Sequence, residues 1–348
     1  MKLLEVSHLR KSFDGGVVAV DDVSFHVAEG EIFGLVGPNG AGKTTTMSML
    51  AGLLKPDGGS IQIQGQPFDP GRYEQRAMLG MVPQNLAIYP DLTALENLKF
   101  FGSLYGFRGT KLKQRVAAVL ELTGLTERAD GLVKTFSGGM KRRLNFGVAL
   151  LHEPRLVILD EPTVGVDPQS RSHLLDAVDQ LCRDGVSVLY ASHYMEEVEA
   201  ICHRVAILDH GRLLECGTLP ELLSNVPREL RLCVSASSPT LIERLQGLAQ
   251  VQPSTNDELV VTLSLTGHAE TTTQASGAAS ASRCCAECTG RLMPARSPAQ
   301  VVVPAFDEQL RQVMDVLRDC GAELRSIESE ECNLERLFLK LTGNHLRD

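Results

Sequence analysis

The amino-acid sequence predicts an α/β fold for residues 1–220, and three observations support this. Short apolar runs alternate there with helical stretches and glycine-bearing turns, as in strands covered by helices. Two of the runs, Leu156–Leu159 and Ser187–Tyr190, are predicted to be central parallel strands. A third run, Glu31–Val36, leads directly into a glycine-rich loop and a helix. The length of 348 residues and the hydrophobic content of 43% suggest two domains with ample core.

The start of the chain has a different pattern. Leu3–Arg10 and Val17–Val27 flank the turn residues Asp14-Gly15-Gly16. Two extended stretches on either side of a glycine turn favour an antiparallel pair. We therefore expect an antiparallel strand pair ahead of the parallel sheet.

The glycine-rich loop at residues 37–44 reads GPNGAGKT and matches the phosphate-binding pattern G-x-x-x-x-G-K-[ST]. Its glycines let the backbone turn its N–H groups toward phosphate oxygens, and the following helix, Lys43–Leu50, adds a favourable dipole. Lys43 can reach the β- and γ-phosphates, and the Thr44 hydroxyl can ligate Mg²⁺. The strand and helix on either side argue against a chance glycine-rich turn. The sequence therefore predicts a nucleotide site.

An acidic pair follows one of the predicted central strands. Residues 155–162 read RLVILDEP, so Asp160 and Glu161 stand at the carboxyl end of a buried strand, where open α/β sheets bind their ligands. Asp160 is suited to holding Mg²⁺, and Glu161 to orienting and deprotonating a water. The alternative is a solvated acidic turn, which the phosphate-binding loop upstream disfavours.

A second possible phosphate nest precedes the acidic strand. Phe136–Met140 reads FSGGM and is followed by Lys141-Arg142-Arg143. A serine and two glycines that open a helix offer several N–H groups to an anion. Alone, this string is often only a loop; its position about twenty residues before the acidic strand makes it informative.

Taken in order, these motifs resemble those of the ATP-binding cassette (ABC) transporter ATPases over residues 1–220. The loop at 37–44 is similar to the Walker A loop, and Ser137-Gly138-Gly139 to the signature motif. Asp160-Glu161 is similar to the Walker B motif with its catalytic base. Gln84 stands where the family has its Q-loop glutamine, and His193 where it has its switch histidine.

The resemblance implies three sets of roles. The residues implied to carry hydrolysis are Gln84, Glu161 and His193. The residues implied to hold Mg²⁺ are Thr44, Gln84 and Asp160. The residues implied to contact ATP are Phe13, Gly37, Pro38, Asn39, Gly40, Ala41, Gly42, Lys43, Thr44, Thr45, Ser137, Gly138, Gly139 and Asp167.

Some of these positions have simpler explanations. An aromatic residue at a strand end, such as Phe13, is often part of the core rather than a platform for adenine. His193 could merely begin a helix. The sequence also departs mildly from the family pattern, with Phe136 for the commoner Leu, Met140 for Gln and Val164 for Ser.

The resemblance also implies an architecture and partners. The fold would be a RecA-like P-loop nucleotidase core with an antiparallel β subdomain and a helical subdomain that carries the signature motif. ATP would lie between the Walker A loop of one subunit and the signature motif of another, so two chains would pair head to tail as a homodimer or heterodimer. A separate transmembrane permease would complete the transporter.

Charge and hydropathy fit this expectation. The 34 Lys and Arg residues against 43 Asp and Glu give a formal net charge of -9, so we expect no nucleic-acid partner. No apolar run approaches the roughly 20 residues of a membrane-spanning helix. The start of the chain does not resemble a signal peptide. We therefore expect a cytoplasmic protein, peripheral on the cytoplasmic face of the cell membrane.

Residues 221–348 are predicted to form a small α+β domain for regulation or dimerisation. Strands are expected at Leu230–Val234, Glu258–Leu265, Val301–Phe306 and Glu323–Glu328, and helices at Pro239–Leu248, Glu308–Cys320 and Leu334–Leu341. Residues 266–300, rich in Thr, Ser, Ala and Gly, are expected to be a flexible insertion. It contains Cys284, Cys285 and Cys288, which could bind a soft metal or simply be exposed thiols.

Three stretches indicate the kind of transporter. Ile88–Leu98, Tyr194–Glu199 and Asn333–Gly343 resemble bacterial export-type ATPases of drug and polysaccharide efflux. Two alternatives remain: an importer ATPase, and a non-transport ABC ATPase, which usually has two cassettes in one chain. The apolar residues that follow Gln84, from Leu86 to Leu92, are expected to contact the permease, unless they pack the helical subdomain.

Overall fold

A computed structural model describes residues 1–224, 226, 228–235, 239–253, 258–265, 306–330 and 332–343. The chain divides into two compact units, Met1–Val226 with the chain from Asn333 onward, and Pro227–Cys332. The final helix, placed in the second domain by the sequence analysis, therefore packs within the first unit. The functional division at residue 220 stays a prediction.

The first unit is built on a six-stranded sheet in the order β10-β9-β3-β8-β7-β6. Its strands are β3 (Ile32–Val36), β6 (Leu79–Val82), β7 (Leu156–Asp160), β8 (Ser187–Ser192), β9 (Arg204–Asp209) and β10 (Arg212–Thr218). All neighbours pair in parallel except β10, which is antiparallel to β9. Every residue of β3, β7 and β8 is buried. The predicted central parallel strands are thus confirmed.

A second, antiparallel sheet has the order β2-β1-β4-β5. Its strands are β1 (Lys2–Phe13), β2 (Val17–Ala28), β4 (Gly58–Ile63) and β5 (Gln66–Pro67). The predicted antiparallel pair at the start of the chain is confirmed. Its apolar side chains, such as Leu4 and Phe25, share one core with Phe33 of β3 and Met47 of the helix after it. The two sheets and α1 therefore share one hydrophobic core.

The first unit contains nine α-helices in the described residues. They are α1 (Lys43–Leu50), α2 (Tyr73–Arg76), α3 (Ala94–Leu104), α4 (Gly109–Leu122), α5 (Gly138–Leu150), α6 (Pro168–Arg183), α7 (Met195–Ile201), α8 (Leu219–Ser224) and α11 (Leu334–Thr342). Helices α3, α4 and α5 follow β6 and precede β7 in the chain. They contact one another, as expected for the helical subdomain. The last helix contacts α7 and α8 and buries Leu334, Leu337 and Phe338.

Several helix starts follow from local sequence. Thr93 and Glu96 form a capping box at α3, in which each side chain accepts a backbone N–H from the other residue. Asp167 caps α6 by accepting the N–H of Ser170, and Pro168 occupies the first helical position, where its missing N–H costs nothing.

The second unit is a four-stranded antiparallel sheet in the order β12-β13-β11-β14 with two helices. Its elements are β11 (Arg228–Ser235), α9 (Pro239–Gln246), β12 (Gln250–Pro253), β13 (Glu258–Leu265), α10 (Phe306–Asp319) and β14 (Leu324–Glu330). Apolar residues of the helices and strands, including Leu232, Leu241, Val261 and Val313, form its core. The predicted α+β character of this region is confirmed, and β12 was not predicted.

Some predictions fall outside the described residues. Among them are the insertion at 266–300, with Cys284, Cys285 and Cys288, and nearly all of the predicted strand Val301–Phe306, whose last residue begins α10. None of the described helices has the length and apolar character needed to span a bilayer.

Candidate active site

The glycine-rich loop lies at the carboxyl edge of the parallel sheet, between β3 and α1. Two of its glycines are required by close contacts. A Cβ at Gly37 would lie 2.2 Å from the Leu208 carbonyl oxygen. A Cβ at Gly42, whose φ is 99°, would lie 2.4 Å from the carbonyl oxygen of Ala19. The loop conformation is therefore available to this sequence only with glycine at these positions.

Within the loop, the Ala41 N–H donates to the Pro38 carbonyl at 3.1 Å, and Ala41 is buried. Asn39, Gly40 and Thr44 are exposed, and Thr45 is half-buried. The tip of the loop therefore faces solvent, while Ala41 ties it to the core.

Lys43 is held against the loop that precedes it. Its Nζ donates to the carbonyl oxygens of Gly37, at 2.7 Å, and Pro38, at 3.1 Å. The same atom lies 3.4 Å from Oε1 of Glu161. Burial lowers the pKa of Lys43, and the neighbouring Glu161 opposes that shift. A cation is thus placed at the mouth of the loop with a carboxylate partner.

Asp160 faces the first turn of α1. The Thr44 hydroxyl donates to its Oδ1 at 3.1 Å, which joins the end of β7 to the loop. Burial raises the pKa of Asp160, and the hydrogen bond from Thr44 opposes the rise. Hydroxyl and carboxylate oxygens are the ligands that Mg²⁺ prefers, so this pair suits that ion.

Glu161 is the meeting point of the predicted catalytic residues. Its Oε2 accepts from Nε2 of Gln84 at 2.8 Å, and its Oε1 lies 3.2 Å from Nδ1 of His193. The residue is 5% exposed and has a φ of 48°, a conformation uncommon for a non-glycine residue. Backbone strain of this kind is found at sites where a side chain is held for function.

The signature segment lies elsewhere on the unit. Ser137 caps α5 by accepting the Met140 N–H at 3.2 Å, and Gly139 packs against the start of α6. Among the described residues, no hydrogen bond joins Ser137, Gly138 or Gly139 to the loop at 37–44. Asp167 caps α6, and the hydrogen bonds from Ser170 lower its pKa. Within the described part of one chain, the two predicted phosphate nests are therefore not joined by a hydrogen bond.

Phe13 lies at the end of β1 and is 46% exposed, with the Lys11 Nζ 5.9 Å from its ring centroid. It is therefore not a core residue. The stacking of Phe13 on adenine stays a prediction.

Sequence reasoning missed Arg142. This buried guanidinium on α5 donates to the carbonyl oxygen of Gln84 and lies within 3.4 Å of those of Pro83 and Val164. Burial lowers its pKa. One signal was available: Gly139, Arg142 and Phe146 recur at helical spacing on one face of α5, and all are buried.

Sequence reasoning also assigned no role to Glu197, which is buried on α7, the helix that follows His193.

Known proteins resemble the chain over the same region. The family model "ABC transporter" matches residues 20–164. The linearmycin resistance ATP-binding protein LnrL of Bacillus subtilis is 40% identical over 99% of this chain and 100% of that protein. Nod factor export ATP-binding protein I of Paraburkholderia xenovorans is 42% identical over 64% of this chain and 73% of its own length.

A solved structure agrees. The structure of cbiO1 from Clostridium perfringens, part of the ABC transporter complex cbiONQ, has a TM-score of 0.60 and 26% identity. It covers 64% of this chain and 91% of its own. The extended match to LnrL is decisive, because it includes both units. The chain therefore belongs to the ABC transporter family, as one of its ATP-binding, ATP-hydrolysing subunits.

Proposed function

We propose that this chain hydrolyses MgATP at a head-to-tail interface between two such subunits and thereby powers export through a separate membrane permease. The observation that carries the catalytic part is the convergence on Glu161 of Gln84, His193 and Lys43, within 2.8–3.4 Å. Three residues distant in sequence meet one buried carboxylate beside a phosphate-binding loop.

Nucleotide binding rests on the loop at 37–44. Its N–H groups and Lys43 would hold the phosphates. Thr44, Asp160 and Gln84 would hold Mg²⁺, which neutralises charge on the phosphates when bound. Among the described residues, no three His, Cys, Asp or Glu side chains are grouped to hold a metal ion. Phosphate and water oxygens would complete the coordination, as is usual for Mg²⁺.

Hydrolysis rests on Glu161, which would orient the attacking water and accept its proton. His193 would hold the geometry of that attack, and the fixed backbone at Glu161 would keep the carboxylate in place. Among the described residues no hydrogen bond joins Ser137–Gly139 to the loop of its own chain, and the second phosphate nest would come from a partner subunit. Identical or different subunits would both satisfy this requirement.

Export is supported by the relatives, one of which is a linearmycin resistance protein and the other a Nod factor export protein. Permease contact is supported by an apolar surface near Gln84. Leu86 is 42% exposed, Tyr89 48% and Phe100 40%. Tyr89 packs edge-on to Phe100, with ring centroids 5.2 Å apart. An exposed aromatic cluster of this kind is typical of a protein-binding surface.

The experiment is photo-cross-linking in membranes that contain the assembled transporter. A photoreactive amino acid is placed at Tyr89, and the same amino acid at Tyr73, which is 54% exposed, is the matched control. We expect an adduct with a polypeptide that stays in the membrane after alkaline washing, formed from position 89 only. Absence of that adduct, or equal adducts from both positions, would contradict the proposed docking surface.

A further inference from the structure

Glu197 is a buried carboxylate outside the sets of residues implied to bind ATP, hold Mg²⁺ or carry hydrolysis. It lies in the first turn of α7 and is 4% exposed. Its Oε2 accepts hydrogen bonds from three hydroxyl groups, those of Thr163 at 2.7 Å, Tyr190 at 2.8 Å and Ser192 at 3.2 Å. A buried charge is costly unless it is paired and hydrogen-bonded, so three hydrogen bonds to one carboxylate oxygen indicate a specific arrangement.

Its other oxygen faces a guanidinium. Nε of Arg171 lies 3.2 Å from Oε1 of Glu197, close enough for an ion pair but not aligned for a hydrogen bond. Arg171 belongs to the second turn of α6. Burial raises the pKa of Tyr190, the Glu197 carboxylate adds to the rise, and the hydrogen bond with Thr163 opposes it. The carboxylate is thus engaged on both oxygens.

These partners come from the segments that carry the catalytic groups. Thr163 is two residues after Glu161, and Ser192 directly precedes His193. The Glu197 carboxylate therefore connects three segments. They are the residues just after Glu161, helix α6, and the end of β8 directly before His193.

A second route leads from the same carboxylate to His193. The guanidinium carbon of Arg171 lies 5.1 Å from the ring centroid of Tyr194. The Tyr194 ring in turn packs on the His193 ring at 4.1 Å. The Tyr194 N–H also donates to the Ser192 hydroxyl at 2.9 Å, the same hydroxyl that donates to Glu197. Tyr194, the residue after His193, is therefore held both through its backbone N–H and through its ring.

We propose that Glu197 is a positioning residue for ATP hydrolysis, which fixes His193 and the segment after Glu161 relative to each other. It acts through Ser192, Arg171 and Thr163. His193 then reaches Glu161 Oε1 at 3.2 Å because the loop before and after it is tied to α7. Misplacing a reacting group by about 1 Å can cost on the order of 100-fold in rate.

The first test is Glu197→Gln, with Glu196→Gln as the matched control, because Glu196 is the exposed neighbour on the same helix. The amide keeps the shape but loses the charge and turns one acceptor into a donor. We expect kcat to fall by about 10- to 100-fold, with KM for MgATP within about 3-fold of wild type. Glu196→Gln should keep both values. A Glu197→Gln enzyme with kcat within about 2-fold of wild type overturns the proposal.

The second test separates positioning from a purely structural role. In a His193→Ala background, Glu197→Gln should reduce the remaining kcat by less than about 3-fold, because residues that act as a unit are strongly non-additive. A general loss of folding would lower kcat by the same factor in both backgrounds, and that result overturns the proposal. All assays are made below the thermal midpoint of each variant.

If Glu197→Gln does not yield folded protein, Arg171→Met takes its place in the same cycle. This change keeps an unbranched side chain beside Tyr194 and removes the charge that faces Glu197. We expect a loss of kcat of about 3- to 30-fold that largely disappears when His193 is Ala. A loss that is equal in both backgrounds, or no loss at all, contradicts the proposal.

Discussion

The two glycines of the signature segment should respond differently to the same substitution. A Cβ added at Gly139 would lie 2.1 Å from Oγ and 2.4 Å from Cβ of Ser170, whereas a Cβ at Gly138 would meet its nearest atom, the Gly165 carbonyl oxygen, at 3.6 Å. The first distances are far inside van der Waals contact, and the last is ordinary contact. Neither glycine has a positive φ, so only packing separates Gly139→Ala from Gly138→Ala.

The size of the stability difference follows from the close packing of Gly139 against Ser170. Ser170 is 8% exposed and its N–H is held by Asp167, so it cannot move away without breaking the cap of α6. Overpacking of this kind costs about 1–3 kcal/mol. An alanine at the first position of α5 is neutral or stabilises by less than about 1 kcal/mol. Gly139 lies in the same helical turn, so alanine there has the same gain and the difference is the packing cost: we expect Gly139→Ala to be less stable than Gly138→Ala by about 1–3 kcal/mol.

The assay is urea unfolding of both variants followed by circular dichroism at 222 nm, because the chain contains no Trp for fluorescence. The comparison uses the midpoint of the transition in each protein. Equal midpoints, or a larger loss for Gly138→Ala, would refute the packing of α5 on α6.

Three further predictions concern other parts of the first unit. Lys43→Ala should weaken binding of a fluorescent ATP analogue by about 10- to 150-fold, because a charged hydrogen bond of about 1.5–3 kcal/mol is lost. Lys55→Ala, at an exposed position, should leave the affinity unchanged. An unchanged affinity in Lys43→Ala would contradict the site. Phe338→Ala should cost about 3–5 kcal/mol and lower the melting midpoint by about 6–20 °C, since Phe338 is 2% exposed; an unchanged midpoint means that α11 lies outside the core. Burial lowers the pKa of His152 below the 6.5 of an unfolded chain, so the wild-type protein should lose stability as the pH falls below 6.5. The His152→Gln variant should lose less stability than wild type between pH 7.5 and 5.5. Equal losses of stability in the two proteins would contradict this assignment.

Much of the site could be predicted because its motifs are local. A phosphate-binding loop needs glycine at fixed positions between a strand and a helix, and each of these requirements is visible in consecutive residues. The acidic pair after β7 is visible for the same reason: a buried apolar run ends in two carboxylates. The sequence could thus indicate Lys43, Asp160 and Glu161 without knowledge of what surrounds them.

The residues that were missed act through tertiary partners. Arg142 stands in a run of three basic residues, and its helical spacing with Gly139 and Phe146 indicates a shared helix face but not its contacts with the chain around Gln84. Glu197 stands in the acidic stretch Glu196–Glu199, where polarity suggests a solvated face. A buried charge depends on hydrogen-bond partners from distant segments, acceptors for Arg142 and donors for Glu197, and the local sequence does not identify those partners.

Two features of the fold were missed for physical reasons as well. The strand β12 is four residues long, contains two glutamines and ends in Pro253, which is tolerated because the strand lies at the edge of its sheet. The apolar spacing of α11 predicted a buried face but could not say which helices it packs on. The structure pairs it with α7 and α8 of the first unit.

The most direct test of the central claim is the ATPase rate of Glu161→Gln beside that of Glu74→Gln, an exposed glutamate on α2. The nucleotide cradle is unchanged by either substitution, so both variants should bind MgATP as wild type does. We expect Glu161→Gln to lose about 10²- to 10⁴-fold in kcat, as is typical when a general base is removed, and to accumulate as an ATP-bound dimer on size exclusion. Glu74→Gln should turn over normally. A Glu161→Gln rate within about 3-fold of wild type would contradict the account.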